Sequence, residues 1–255
     1  MRLSLTTAAL LTSALAAHAQ NPVQPKPEDT EVWRPVPRVV TPGRTNADPP
    51  SDAIVLFDGR NLSEWVSTRD QSPARWTVGD GAFTVVKSAG DIRTRRSFTN
   101  YQLHIEWRIP SNITGSGQLR GNSGVFLAWT SEGGYELQIV DSYQNATFVN
   151  GQAGSVYKQY PPLVNAMRKP GEWQVYDVVW IAPTFKPDGS LATAASVTAF
   201  HNGVVIQHHV VLRGVTKNTG QPEYTRHGAL PLVLQAHDDP SPPISFRNVW
   251  LRELP

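Results

Sequence analysis

The sequence predicts an all-β protein built as a β-sandwich or jelly roll. Short β-rich runs, most of them bounded by turn residues, fill the chain after about residue 50. No amphipathic helix of even three turns can be found. The 19 glycines and 21 prolines punctuate the chain without a repeat of fixed period, which argues against a propeller or a solenoid. Two sheets that pack their apolar faces together account for this pattern.

The predicted strands follow one another along the chain. Asp80-Gly81 and Asn202-Gly203 mark two tight turns, because both dipeptides favour the turns that join antiparallel strands. Residues 101–109 alternate strictly between apolar and polar side chains, the period of a strand with two unlike faces. The strand-forming segments are 53–57, 76–86 (two strands), 101–109, 124–129, 134–140, 173–182, 196–212 (a hairpin), 231–237 and 244–254.

The N-terminal residues predict export rather than fold. Residues 1–19 combine a positive start, an apolar run and Ala17-His18-Ala19, which is the pattern of a secretory signal peptide. We predict cleavage after Ala19 and a periplasmic or secreted protein; an uncleaved N-terminal anchor is the alternative. Residues 20–50 carry eight prolines and predict a linker or a strap over the surface. Residues 51–255 remain as one domain, long enough for a full core.

Composition narrows the classes of partner. The formal net charge is +2 and no block of lysine or arginine stands out, so no nucleic acid partner is expected. No second apolar segment long enough to span a membrane follows the signal. Cysteine is absent, so an exported domain has to be stable without disulfides. The oligomeric state does not follow from these observations.

The segment GGYELQIVDS at 133–142 places two carboxylates and an amide close together. Glu136 and Gln138 lie on one face of the predicted strand, because alternate side chains of a strand share a face. Asp141 follows at the strand end, on the face that the apolar residues had held. The polar group is either a solvated strand face or a pocket wall. In a pocket it could hold sugar hydroxyls or a hard divalent cation.

His237 is the histidine with the strongest case for a function. It ends the strand segment PLVLQAH, and Gln235 lies two residues earlier on the same face. A histidine titrates near neutral pH and suits a base, an acid or a metal ligand. His208 and His209 follow a hairpin turn and are interpreted as surface residues, whereas His104 is either exposed or part of a polar face.

Two arginines and three further residues complete the candidates. Arg247 could stabilise an enolate or clamp two hydroxyls, or it forms a salt bridge at the sandwich rim. Arg108 could pair across to the same site or with the neighbouring Glu106. Asn122 precedes a strand and either binds a sugar hydroxyl or closes a turn. Trp129 and Tyr135 flank the polar group, where aromatic faces could stack on a sugar, although most aromatic residues of an all-β domain are structural.

Ten motifs in one order give the sequence a resemblance to a known family. Each is weak alone, but ten in the same order are hard to obtain by chance. The sequence resembles the 3-keto-disaccharide hydrolase domain family over roughly residues 52 to 254. The motifs are LFDGRNLSEW (56–65), W-x-V-x-DGAF (76–83), YQLHIEWRIP (101–110), GNSGVFL (121–127), GYELQIVD (134–141), G-x-x-Y (154–157), GEWQVYDVVW (171–180), HNG (201–203), LVLQAHD (232–238) and FRNVWLREL (246–254).

The resemblance implies a concanavalin-A-like sandwich and carbohydrate chemistry. Members of the family are associated with glycosides already oxidised to a ketone at C3, some as metal-dependent 1,2-lyases and hydratases. A C3 ketone acidifies the C2 hydrogen, so a base can remove it and the aglycone can leave from C1; water then adds to the glucal. Such a site needs a base, an acid and a cation or donor at the enolate oxygen.

We therefore predict an exported enzyme that cleaves 3-oxo-glycosides or oxidised oligosaccharides by elimination and hydration. The predicted catalytic residues are Glu136, Asp141 and His237, which are also the predicted ligands of a divalent ion, Ca, Mg, Mn or Zn. Two alternatives stay open: a lectin-like binding module, and a direct glycoside hydrolase that uses Glu136 and Asp141 as its carboxylate pair. The residues predicted to bind substrate are Gln138, Arg247, Asn122, Trp129, Tyr135 and Arg108.

Overall fold

The computed structural model describes residues 24–255, so the predicted signal peptide at 1–19 and its cleavage point lie outside the described residues. The chain divides into two compact units, Met1–Val39 and Val40–Pro255. In the first, the described residues are largely exposed and hold a short 3₁₀ helix at Pro27–Thr30. In the part of the chain that is described, no helix is long and apolar enough to cross a membrane.

The second unit is almost entirely β, which confirms the predicted fold class. Its helical segments within the described range are short 3₁₀ turns at Lys87–Ala89, Gly117–Leu119 and Val149–Gly151. The strands are β1 Ile54–Phe57, β2 Trp65–Ser67, β3 Thr77–Gly79, β4 Ala82–Thr84, β5 Ile92–Thr94, β6 Tyr101–Arg108, β7 Ser123–Thr130, β8 Gly133–Ile139, β9 Trp173–Ile181, β10 Thr184–Phe185, β11 Leu191–Thr193, β12 Ser196–His201, β13 Val204–Val211, β14 Val233–Leu234 and β15 Ser245–Glu253.

These strands form a sandwich of antiparallel sheets. The larger sheet has eight strands in the order β13-β12-β9-β6-β15-β4-β3, with β1 also paired to β15. The smaller sheet has five strands in the order β2-β5-β14-β7-β8. A short hairpin of β10 and β11 stands apart from both. Strands from the two ends of the sequence are neighbours in both sheets, so the sheets are held by long-range pairing.

The core lies between the two sheets and is rich in aromatic residues. Alternate side chains of the long strands enter it, as the strict alternation of residues 101–109 predicts. Its largest fully buried members come from both sheets and bury much of the apolar area of the domain. They include Trp65, Trp107, Trp180, Tyr101, Tyr135, Tyr176, Phe83, Phe98 and Phe246.

Four strands were not expected from the sequence, and one predicted strand is shorter than expected. β2, β5, β10 and β11 have two or three residues each, too few to show a period. Within the predicted 231–237 segment only Val233–Leu234 is a strand. Beyond it, the backbone N–H of Ala236 donates to the Asp91 carboxylate at 2.7 Å instead of to a strand. The chain therefore leaves the sheet just where it carries His237.

Residues 40–50 pack on the outer face of the larger sheet. The carbonyl of Ala47 accepts hydrogen bonds from Asn248 Nδ2 at 2.8 Å and from Trp250 Nε1 at 2.9 Å. This part of the predicted linker or strap is therefore tied to β15.

Beneath that segment lies a buried cluster around His104. Its Nδ1 is 2.7 Å from an oxygen of Asp177, its Nε2 is 3.6 Å from Glu106, and its ring stacks on Trp250. Burial acts to lower the pKa of His104, but the two carboxylates outweigh it and raise the pKa to about 9. Burial acts to raise the pKa of Glu106, but hydrogen bonds from His104, Asn248 and Arg247 outweigh it, and that pKa falls to about 2.

Substitution of His104 by glutamine is expected to destabilise the domain more at pH 6 than at pH 10. A histidine with a raised folded-state pKa stabilises fully below its ordinary pKa near 6.5, and that contribution is lost as the pH rises through about 9. We expect a loss of roughly 2–4 kcal/mol at pH 6 and a clearly smaller loss at pH 10, measured by urea unfolding. His208→Gln, at an exposed histidine, is the control. Equal losses at both pH values would contradict the predicted charge state.

Candidate functional site

A cavity of about 300 Å³ opens on the outward face of the smaller sheet. We call it the Glu136 cavity. Strands β7 and β8 form its floor, with Gly124 opposite Gln138 and Phe126 opposite Glu136. Residues that follow β14 and residues of two loops form its walls. The lining residues are Asn122, Phe126, Trp129, Gly133, Gly134, Glu136, Gln138, Tyr157, Thr216, Asn218, Gln235 and His237.

Strand alternation brings Glu136 into this cavity. Tyr135, Leu137 and Ile139 point into the core between the sheets, so Glu136 and Gln138 point the other way. Gly124 on the neighbouring strand leaves room for the carboxyl group, since a Cβ there would stand 2.7 Å from Glu136 Oε1.

Glu136 is buried and its acid form is favoured. Burial is the main cause that raises the pKa of its carboxyl group, to about 8, and the negative charge of Asp91 raises it further. No hydrogen bond from residues 24–255 reaches the carboxyl oxygens, whereas the backbone N–H donates to Thr216 Oγ1 at 3.1 Å. A carboxyl group that keeps its proton at neutral pH can serve as a general acid.

His237 stands at the same cavity with its ring held by a carboxylate. Its Nδ1 is 3.2 Å from Asp239 Oδ2. Asp239 is itself buried and is fixed by the Ser241 N–H at 2.9 Å and by Lys87 Nζ at 3.2 Å. Because a carboxylate only accepts, Nδ1 carries the proton in the neutral ring and Nε2 remains a free acceptor. The ring is therefore oriented to remove a proton through Nε2.

Asp91 lies next to the candidate site, outside the cavity lining, and was not predicted from the sequence. It precedes β5, accepts the hydrogen bond from Ala236, and interacts electrostatically with Glu136 and His237. Burial raises the pKa of Asp91, and the opposing effects of the Ala236 N–H and of Arg69 are smaller. The only sequence signal was an aspartate before an apolar residue, which is too common to identify a site.

The amides in the cavity differ in how firmly they are held. Gln138 donates through Nε2 to Gln118 Oε1 at 2.9 Å and accepts the Ile139 N–H at 3.0 Å. Asn122 donates to the Gln118 carbonyl at 2.8 Å. Gln235, by contrast, has a buried side-chain oxygen without a hydrogen-bond partner among the described residues. A buried amide oxygen left without a partner is a natural acceptor for a ligand hydroxyl.

The two predicted aromatic residues have different positions. Trp129 lines the cavity, half-exposed, and meets Phe126 edge to face at 4.7 Å. Tyr135 lies in the core, where it contacts Trp180 at 5.0 Å and its hydroxyl bonds His227 Nε2 at 2.9 Å. Of these two residues, Trp129 is therefore the one that can offer a face to a ligand in this cavity.

Asp141 is not brought together with Glu136. It is fully buried, and its carboxylate accepts from Arg120 Nε at 2.7 Å and from the Tyr143 N–H at 3.0 Å. Its backbone carbonyl also accepts from Asn145 Nδ2 at 2.6 Å. These hydrogen bonds connect the segments that flank the end of β8. The Asp141 carboxylate therefore stabilises the fold there and does not face the cavity.

Arg247 and Arg108 lie on the outer face of the larger sheet, away from the Glu136 cavity. Their guanidinium groups stand 4.2 Å and 4.5 Å from the ring centre of Trp173. Arg247 also bonds Glu106 through Nε at 2.6 Å. Arg247 therefore forms a salt bridge, the alternative to a role in the site, and this salt bridge joins β15 to β6 within the larger sheet.

The predicted metal ligands do not form a three-residue set. Among residues 24–255 there is no group of three or more histidine, aspartate or glutamate side chains arranged to hold a metal ion. Glu136 and His237 share the cavity, but Asp141 is bound to Arg120. The residues present do not fit the predicted ligand set, and no step below is derived through a metal.

Comparisons with solved structures show the same fold in other proteins. A crystal structure from Parabacteroides distasonis, of a protein described as a "putative glycosyl hydrolase", is 55% identical and covers 90% of this chain and 97% of its own, with a TM-score of 0.85. A second structure of that description from the same organism is 20% identical over 80% of this chain and 94% of its own, with a TM-score of 0.58. A search of curated proteins found no significant match.

The sandwich fold and its cavity, with these relatives, define the protein as a carbohydrate-active enzyme of the β-sandwich class. More narrowly, residues 52–252 match the model of the 3-keto-alpha-glucoside-1,2-lyase-like domain, and the chain belongs to that family. The resemblance noted in the sequence is thereby confirmed.

Proposed function

We propose that the protein cleaves 3-oxo-glycosides by elimination of the C1 aglycone and hydration of the resulting glucal. The observation that carries the proposal is the pair at the Glu136 cavity: a carboxyl group that keeps its proton to about pH 8, and a histidine with a free, oriented Nε2. A protonated carboxyl group and an imidazole nitrogen that can accept a proton, both facing one cavity, are the parts that acid–base catalysis needs.

In the proposed first half-reaction, His237 Nε2 takes the C2 proton, which the C3 ketone has made acidic. The electrons form an enolate, then the C1–O bond breaks, and Glu136 gives its proton to the departing oxygen. The amide N–H groups of Gln235 and Asn122, which line the cavity, are the neutral donors available to the enolate oxygen, whereas the partnerless Gln235 Oε1 can only accept, for example from a sugar hydroxyl. The products of this step are the free aglycone and a glucal with a C1–C2 double bond conjugated to the ketone.

The second half-reaction restores both groups. The Glu136 carboxylate takes a proton from water as the oxygen adds to C1, and the His237 imidazolium returns its proton to C2. One water is consumed, and the net result is hydrolysis of the glycosidic bond. The roles of the two residues are thus exchanged between the halves, as reversibility of proton transfer requires.

The decisive experiment compares a 3-oxo-glucoside, its unoxidised parent and a 3-oxo-glucoside deuterated at C2. The proposal expects aglycone release from the oxidised substrate alone, with a primary isotope effect on kcat/KM. Release from the parent without an isotope effect would instead support direct hydrolysis. Binding without release from either would support the lectin-like alternative. A parallel series with a chelator tests the divalent ion that the family resemblance implies.

Direct hydrolysis by Glu136 and Asp141 is not favoured by the geometry. Such a mechanism needs both carboxyl groups to flank the glycosidic bond. Asp141 is instead fully buried against Arg120, outside the lining of the Glu136 cavity. The lectin-like alternative does not explain the raised pKa of Glu136, because a site that only binds sugar hydroxyls has no need of a general acid.

Export is the second part of the proposal and rests on the sequence of residues 1–19. Its test is the N-terminus of the mature protein after expression in a Gram-negative host. A mature chain that begins at Gln20 in the periplasmic or secreted fraction supports it, and an unprocessed cytoplasmic chain contradicts it.

Gly124→Ala is expected to lower kcat/KM about 10- to 100-fold while leaving the fold intact. The new methyl group would stand 2.7 Å from Glu136 Oε1, so the carboxyl end of the side chain has to move out of position. Gly79→Ala, where nothing lies within 4 Å of the added carbon, is the matched control. Steady-state kinetics and thermal unfolding of both variants check this; unchanged kinetics in Gly124→Ala would refute the placement of Glu136.

A further inference from the structure

A second cavity of about 400 Å³ adjoins the Glu136 cavity. We call it the lysine cavity. Tyr157 and Asn218 line both spaces, so the two cavities are direct neighbours. The proposed reaction uses the Glu136 cavity for one oxidised sugar and leaves the second space unassigned. Its lining residues are Phe148, Asn150, Tyr157, Lys158, Lys217, Asn218, Gly220 and Pro222.

The lysine cavity carries two positive charges and its lining includes no carboxylate. The Lys158 ammonium donates to the backbone carbonyl and to Oδ1 of Asn218 at 2.6 and 2.7 Å. An ammonium has three protons, so one remains for a ligand. Lys217 is half-buried and makes no hydrogen bond or ion pair with the residues that the structure describes. Two cations, one of them unpaired, favour an anionic group between them.

Aromatic rings form another wall of the same cavity. Phe148 is 44% exposed although it is a large apolar side chain, and its ring lies 6.1 Å from that of Tyr157. A Cβ on Gly151 would come within 2.0 Å of the Phe148 ring, so this glycine is what lets the ring lie where it does. The Lys158 ammonium stands 5.9 Å from the Phe148 ring centre, beside the open aromatic surface. Such a wall suits a planar ring.

We infer that the lysine cavity is the aglycone subsite and that it selects an aromatic aglycone bearing an acidic group, such as a carboxylate. The inference rests on the proposed function, because it places the oxidised sugar at Glu136. The aromatic ring of the aglycone then packs on Phe148 and Tyr157, and its acidic group faces Lys217 and the free N–H of Lys158. Lys217 and Phe148 become specificity-determining residues rather than catalytic ones.

The test uses the 3-oxo-glucosides of 4-hydroxybenzoate and of its methyl ester, which differ by one charge. We expect the carboxylate substrate to have the higher kcat/KM in the unmodified protein, with an advantage that shrinks as salt screens the charges. Lys217→Met is expected to lower kcat/KM for the carboxylate substrate about 5- to 20-fold and to leave the ester nearly unchanged. Lys169→Met, at a lysine whose side chain is 65% exposed and lies outside both cavities, is the matched control.

The outcomes separate this inference from the proposed function. Equal kcat/KM for the two substrates, or an equal loss for both in Lys217→Met, overturns the aglycone subsite while cleavage itself stands. Cleavage of neither substrate overturns the proposed function. In that case calorimetric binding of the unoxidised 4-carboxyphenyl glucoside decides the subsite: affinity lowered by Lys217→Met and not by Lys169→Met supports it, and affinity unaffected by either substitution overturns it.

Discussion

Glu136→Gln is expected to abolish cleavage and, at the same time, to make the protein more stable at alkaline pH. The amide cannot give a proton to the leaving aglycone, so we expect kcat to fall by about 10²–10⁴. It also cannot ionise, so the cost of a buried carboxylate disappears. A loss of activity joined to a gain in stability is the signature of a residue kept for function.

The sign of the stability effect follows from the raised pKa of Glu136. Between its ordinary value of 4.5 and about 8, the folded carboxyl group keeps a proton that the unfolded chain has released. The folded state binds more protons over this range, so the free energy of unfolding falls as the pH rises. Glu136→Gln removes that decline. We expect little difference at pH 4.5 and a gain on the order of 3–5 kcal/mol at pH 8 and above.

Urea unfolding of both proteins at several pH values between 4.5 and 9 measures the effect. Glu223→Gln, at an exposed carboxylate, is the matched control and is expected to change neither stability nor cleavage. A stability difference that does not grow with pH would show that Glu136 ionises normally and would remove it as the acid. Full cleavage activity in Glu136→Gln would likewise show that Glu136 is not the acid.

His237→Ala is expected to lower kcat by about 10²–10⁴ for the cleavage of 3-oxo-glycosides, because the base for the C2 proton is lost. The fold should tolerate the change, since the side chain is 31% exposed and lies beyond the end of β14. Added imidazole is expected to restore part of the activity by entering the vacated space. His208→Ala, at an exposed histidine of β13, is the control.

The isotope effect separates a missing base from a misplaced substrate. With the C2-deuterated substrate, His237→Ala should show a primary effect at least as large as that of the unmodified protein, because proton removal becomes the slowest step. Rescue by imidazole should follow the concentration of its neutral form. Unchanged kcat, or a loss confined to KM without rescue, would show that His237 only positions the sugar.

Sequence periodicity determined the sandwich fold and the direction in which the site residues of β8 point. The alternation in YELQI sends Tyr135, Leu137 and Ile139 to the core, and it therefore sends Glu136 and Gln138 to the opposite face. A period of two residues is a local property, so it can be read without knowing which strands are neighbours. The same alternation sends Tyr135 to the core and away from the cavity, so the prediction that its ring binds substrate conflicts with the strand period.

Only the tertiary structure decided which distant residues share the cavity. Asp91 and His237 meet Glu136 because β5, β14 and β7 pair side by side, and this pairing joins segments far apart in the chain. Asp141 lies only five positions from Glu136, yet a salt bridge to Arg120 holds it elsewhere. Burial, which raises the pKa of Glu136, is likewise a property of the packed sheets. The sequence by itself determined what each strand presents; the long-range pairing of strands decided what those side chains can do together.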